Sequence, residues 1–261
     1  MTSSFVLRTI CYLTVLLVLL GCERLFPYVP SVQKKSFRVL FHLGLSIANS
    51  AVLYLIVTGP LLASISFGER HGAGLSRLLG LNGWSEIAAT VLVFDFWDYW
   101  MHRANHRIPF LWRFHRAHHS DMELDVTTAS RFHLGELLIS ATVKGGVILL
   151  WGPSLVGMVL FDAFLTAASQ LHHANLAIPF PVQDVMEKVV VTPRMHRCHH
   201  SLQSPCYLSN YSAILSAWDR LFRSYHCPST ADELAPIGIS SPRGPVTMQL
   251  KPFLLTPFDG K

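Results

Sequence analysis

Apolar residues in this chain gather into long unbroken runs, and charged residues collect between them. The first three runs occupy residues 5–20, 39–63 and 84–101. A helix that crosses a bilayer needs about 20 residues, so the second run is ample, the third is close and the first is short. Two further runs, 137–151 and 154–171, flank Gly152-Pro153, a pair that breaks helices. The pattern predicts a helical hairpin there, entering and returning to one side, with each arm short for a full span.

Composition narrows the class. Hydrophobic residues make up 51% and charged residues 14%, where a soluble domain carries about 25% charged. Mean hydropathy is +0.37. Soluble, disordered, collagen-like and disulfide-stapled chains are excluded, which leaves an integral, multi-pass membrane protein. The five Cys are scattered without a C-x-x-C and read as reduced thiols. A net charge of +5 without any run of Lys or Arg points to an anionic membrane surface, not to nucleic acid.

The placement of Lys and Arg sets the expected orientation. Arg24, Lys34, Lys35 and Arg38 follow the first run, and Arg103, Arg107, Arg113, Arg116 and Arg131 follow the third, whereas the opposite side holds only Arg8, Arg70 and Arg77. The positive-inside rule then places the His-rich segments in the cytoplasm and the N-terminus outside. Leu19-Leu20-Gly21-Cys22 resembles a lipoprotein cleavage site, but cleavage there would leave the basic segment 24–38 outside, so the first helix is expected to be retained. The expected architecture is all-α: about three N-terminal spans, a short helical hairpin, and a cytoplasmic helical cap carrying the His clusters. Residues 1–83 would form the N-terminal membrane helices, 84–225 a catalytic domain and 226–261 a tail.

The chemistry lies in the fourteen His. His102 and His106 are one helical turn apart, and the triplets His115, His118, His119 and His196, His199, His200 repeat one spacing. Side chains at i, i+3 and i+4 share a helix face, which suits a metal clamp. With His173 these make nine imidazoles, about twice what one metal can use, so two metals are implied. Imidazole suits several metals, and the ligand type leaves their identity open. His42, His71 and His226 read as packing or surface residues. Candidates to orient the ligands by hydrogen bonds are Asp98 and Asp95, four and seven residues before His102 on one helix face, then His133 and Asn175. Glu123, Asp125 and Glu136 are weaker candidates.

Several stretches carry a resemblance: D-x-x-x-H-R-x-x-H at 98–106, L-W-R-F-H-R-A-H-H-S at 111–120, and L-D-V-T-T-A-S-R-F-H at 124–133. H-A-N at 173–175, T-P-R-M-H-R-C-H-H-S at 192–201, and N-Y with W-D-R-L-F between 210 and 222 continue it. The whole resembles the membrane fatty acid hydroxylase superfamily, and within it the sterol desaturase-like branch. The chain departs from the family pattern at Leu134-Gly135, at Ser212 and at Arg223-Ser224, none of which removes a proposed ligand.

The resemblance implies a non-haem di-iron centre that activates O2 to hydroxylate or desaturate a lipid. By position it assigns His102, His106, His115, His118, His119, His173, His196, His199 and His200 as ligands and leaves out His172. No Gly-rich dinucleotide fingerprint or haem-attachment motif occurs, so a separate electron-transfer protein is expected as partner. The alternative is a redox-inert zinc protein, a hydrolase or a transporter. A zinc hydrolase needs far fewer ligands, and a transporter places its ligands at the bilayer midplane.

Overall fold

The computed structural model describes residues 2–229, 231–232, 235–241 and 244–259, and among these it is helical, with no strand. Helix α1 is Thr2–Leu25, and α2, Lys35–Leu53, runs through a π turn at Tyr54–Thr58 into α3, Gly59–His71. The short α4, Leu75–Leu78, leads to α5, Gly83–Arg107, and α6, Pro109–His119. The hairpin is α7, Leu134–Trp151, with α8, Leu155–His173. Short helices complete the fold: α9, Phe180–Met186; α10, Pro193–His199; α11, Ala217–Leu221; α12, Leu250–Leu255.

Among the described residues, three helical stretches are long and apolar enough to cross a membrane: 35–78, α7 and α8. The first has 11% of its apolar window buried in the protein against 33% for α8, so the 35–78 rod presents side chains such as Leu40, Ile47 and Leu55 outward. The hairpin arms reach 18 and 19 residues, about 27 Å at 1.5 Å per residue, so each is long enough to span. α5 is long too, but it turns Glu86 and Asp95 inward and packs against α8 around Phe94 and Phe161.

Lys144, Asp162 and Glu86, inside the apolar segments, find partners, as burial in lipid demands. Asp162 accepts from Lys144 and Arg8, each at 2.8 Å. Glu86 accepts from Thr90 and from both the backbone N–H and the hydroxyl of Ser154. The break between α7 and α8 is fixed by contact of two backbones. Gly152, at φ +69°, lies against Ala73 and Gly74 so closely that a Cβ on it would overlap both, and Ser76 Oγ donates to its carbonyl at 2.7 Å. Gly152→Ala should therefore cost at least about 2 kcal/mol from the left-handed φ and the clash together, read as a Tm several degrees lower in detergent.

The cap is tied to the spans by buried ion pairs. Arg38 of α2, fully buried, donates Nε to Asp125 at 2.7 Å and both terminal nitrogens to Asp121 at 2.8 Å. Asp125 in turn caps the short 3-10 turn Val126–Ser130 by accepting from Thr127 N. The C-terminal segment straps the outside of α6: Arg116 donates to the Thr256 carbonyl, and Arg131, fully buried, donates to the Thr247 carbonyl with its guanidinium over Phe253.

Candidate metal centre

Local sequence explains how the histidines meet. Ile108 leaves the helical region and Pro109 opens α6 at its first turn, where a missing N–H costs nothing. The resulting bend turns α6 back on α5, so that His115 and His119 face His102 and His106. α10 starts under a Thr192 cap that accepts from Met195 N, again with Pro next in line, and it delivers His196, His199 and His200. His173 arrives from the C-terminal end of α8.

Two groups result. His102, His106, His115, His119 and His199 form one, and His118, His173, His196 and His200 the other, with ligand atoms in each within 4.8 Å of one another. The groups adjoin: the rings of His119 and His200 stack with centroids 4.1 Å apart. All nine positions marked in the sequence are therefore brought together. His172 is buried beside them with its ring 4.1 Å from that of His196, and it belongs to neither group.

The hydrogen bonds fix which nitrogen faces inward. Nδ1 of His102, His118, His173 and His199 lies on the carbonyl of Tyr211, Arg131, Ser169 and Ser209 respectively, at 2.7–3.1 Å. A carbonyl only accepts, so each Nδ1 carries the proton and each Nε2 is a bare lone pair. His115 Nδ1 is held in the same way by Glu136 Oε1 at 2.7 Å.

The inward nitrogens then converge, and those of His118 and His173, whose Nδ1 protons are fixed, meet lone pair to lone pair. His173 Nε2 is 3.2 Å from His118 Nε2 and 2.9 Å from His196 Nε2. In the other group Nε2 of His106, His115, His119 and His199 is buried without any partner. Facing lone pairs repel unless a cation sits between them, so the donor set fits a metal in each group. Burial, then the proximity of His173 and His200 respectively, holds His118 and His119 well below the ordinary imidazole pKa. Burial likewise takes His199 down to about 3. Neutral imidazole is the form a metal requires.

The expected orienting residues sit elsewhere. Asp95 accepts from the backbone of Ile214 and Leu215 and from the Trp218 indole. His133 caps α7 and bonds the Leu254 carbonyl. Asn175 bridges to the backbone of Val29. Asp98 bonds no imidazole, because the Nδ1 of His102 points across to Tyr211. Among the described residues, the carboxylate that does orient a clustered imidazole is Glu136, itself steadied by Asn105. Outer partners of this kind are worth roughly 10–100-fold in metal affinity. Glu136→Ala should weaken retention at the five-His group by about that factor, measured by chelator competition.

Cys198 and Cys206 differ from the expectation of reduced thiols: the turn after α10 folds back and joins them in a buried disulfide with Cα atoms 5.1 Å apart. Cys11, Cys22 and Cys227 are free.

A cavity of about 350 Å3 opens from the imidazole groups between α1, α2, α7 and α8.

Sequence comparisons agree with the chemistry of the site. Ornithine lipid hydroxylase OlsE of Rhizobium tropici is 27% identical over 225 residues, 84% of this chain and 67% of that protein. Alkylglycerol monooxygenase of Homo sapiens is 28% identical over 132 residues, 50% of this chain but 28% of that protein. Very-long-chain aldehyde decarbonylase GL1-9 of Oryza sativa subsp. indica is 30% identical over 144 residues, 54% of each chain. This chain thus spans only part of the length of these relatives. No solved structure matches it. A family profile described as fatty acid hydroxylase matches residues 87–224, the stretch holding every converging imidazole, and the chain belongs to that family.

Proposed function

We propose that this protein is a membrane non-haem di-iron oxygenase that hydroxylates or desaturates a lipid, with O2 as co-substrate and electrons from a separate protein. The observation that carries the reading is the pair of adjoining all-imidazole groups opening on a cavity between the spans. Two irons, held by His102, His106, His115, His119 and His199 and by His118, His173, His196 and His200, would supply the oxidising power that an unactivated C–H bond requires.

The chain's own residues supply position and environment. The carbonyls of Tyr211, Arg131, Ser169 and Ser209, with Glu136, hold the rings so that the metal-facing nitrogens stay unprotonated. Phe132 stacks flat on His118 with ring centroids 4.6 Å apart and shields that side from water. Overall, hydroxylation turns C–H, O2, two electrons and two protons into C–OH and water. Desaturation takes two C–H bonds to a double bond and both oxygen atoms to water. Residues 84–225 would constitute the catalytic domain, with the metals on the cytoplasmic side by the distribution of basic residues.

The test is metal content and iron spectroscopy on detergent-purified protein expressed with iron supplied. About two irons per chain, with O2 consumption that depends on reductant, is the expected result. Stoichiometric zinc that resists replacement by iron, without O2 uptake, would overturn the reading in favour of a redox-inert zinc protein.

A further inference from the structure

The cavity beside the imidazole groups has walls that a hydrocarbon chain does not need. α2 turns Ser46, Asn49 and Ser50 into it, and α8 turns Thr166, Ser169 and Gln170. Polar side chains on spans are costly and serve a function by default. On this wall two buried side chains keep an oxygen without a donor. Gln170 is 1% exposed; its amide nitrogen donates to the Tyr12 carbonyl at 3.3 Å, which leaves Oε1 without a partner. Glu136 is 6% exposed; Oε1 serves His115 and Asn105, and Oε2 has no partner. Asp98 lines the same cavity and makes no hydrogen bond or ion pair among the described residues.

Both buried open atoms are oxygens that accept, and half-buried Asp98 adds a second carboxylate to the wall. A buried acceptor left without a donor costs about 1–3 kcal/mol, so the wall calls for a ligand that brings hydrogen-bond donors, and its two carboxylates favour cationic or strongly donating N–H groups over a neutral hydroxyl. The unpartnered nitrogens facing this cavity belong to imidazoles, His115, His172 and His196, in or beside the metal groups. The three acceptors also lie close to those groups. Asp98 is one turn before His102, Gln170 three residues before His173, and Glu136 is bonded to His115.

We propose that the substrate is a lipid whose headgroup carries N–H donors, an ammonium or an amide, bound head-inward on Asp98, Gln170 and Glu136 with its alkyl chain leading out between the helices. The identity of the reaction rests on the oxygenase reading; the recognition does not. A head seated there lies about one helical turn, roughly 5 Å, from the metal groups. The carbon oxidised is therefore in the headgroup or next to it, and not at the far end of the tail.

The experiment uses the full-length, iron-loaded protein in phosphatidylcholine nanodiscs, with three probes: N-dodecanoylethylenediamine, methyl dodecanoate and cholesterol. Binding is read first, as the shift in Tm and the apparent Kd, without reductant. The amide-ammonium probe should bind at least tenfold more tightly than the ester or the sterol. Asp98→Asn and Gln170→Leu should each weaken it by about tenfold, the equivalent of about 1.4 kcal/mol, with iron content unchanged. Should Asp98→Asn fail to fold, Gln170→Leu decides alone. Equal binding of the three probes, or variants that bind like the parent, would overturn the headgroup proposal.

Turnover with reductant and O2 is read second, as an added oxygen atom located by fragmentation. Selective binding without any oxidised product would remove the oxygenase reading and leave the headgroup proposal standing. Oxidation of ester and amide with equal kcat/KM would do the reverse.

Discussion

Alanine in place of His196 is expected to abolish turnover, by at least about 100-fold, and to release one metal of two. His196 belongs to the smaller group, where its Nε2 lies 2.9 Å from that of His173 and 3.1 Å from that of His200. Removing it leaves three imidazoles there. His119→Ala, in the larger group, leaves His102, His106, His115 and His199, four imidazoles in one place. The two variants should therefore part company. Both lose turnover, but His119→Ala should keep close to the parental metal content, while His196→Ala falls to about half of it. Inductively coupled plasma mass spectrometry with circular dichroism on the same samples makes the comparison. Equal metal loss in both, at parental helicity, would show that the groups are not the two independent sites the geometry describes.

Why the nine histidines were legible and their supports were not is a matter of range. Spacing of three and four residues already places His115 with His118 and His119 on one helix, because α-helix geometry is local. The break at Gly152 was likewise written in two adjacent residues. The groups that orient the rings are mostly backbone carbonyls, those of Tyr211, Arg131, Ser169 and Ser209, and a carbonyl has no signature in the sequence. Asp98 shares a helix face with His102, yet side chains on a helix lean toward its N-terminus. It reaches one turn along the cavity and not to the imidazole. Glu136 was a weaker candidate because it lies 21 residues from His115 in the chain. Its role depends on how α7 packs against α6, and no local pattern encodes that. The apolar runs of the hairpin arms end at Leu137 and Leu171 and so predict short arms, whereas the helices continue to Leu134 and His173 through polar residues that line the site.

Arg38 illustrates the same limit and carries the second large effect. Counted along the chain it is one more basic residue at the membrane surface, yet it is fully buried and paired with two carboxylates more than 80 residues away. Arg38→Ala leaves Asp121 and Asp125 buried without their main partner. Breaking a buried pair this way costs about 3–5 kcal/mol, and the loop 121–130 that carries the pair leads directly from the His115–His119 triplet. Tm in detergent should fall by several degrees and metal retention should fall with it.

The pH dependence supplies a check that a general loss of packing would not mimic. Burial pushes the Asp125 carboxyl up, but Arg38 and then Lys35 outweigh it and hold the carboxyl down at about 2. A folded-state pKa below the unfolded value of about 3.9 stabilises the fold above that value, and the contribution is lost as pH falls through the folded one. The parent should therefore lose stability between about pH 4 and pH 2 through this group. In Arg38→Ala the depression shrinks while the burial remains, so the decline across that window should flatten. An Arg38→Ala protein with a lower Tm but the parental slope between pH 4 and pH 2 would show that the ion pair does not anchor the cap.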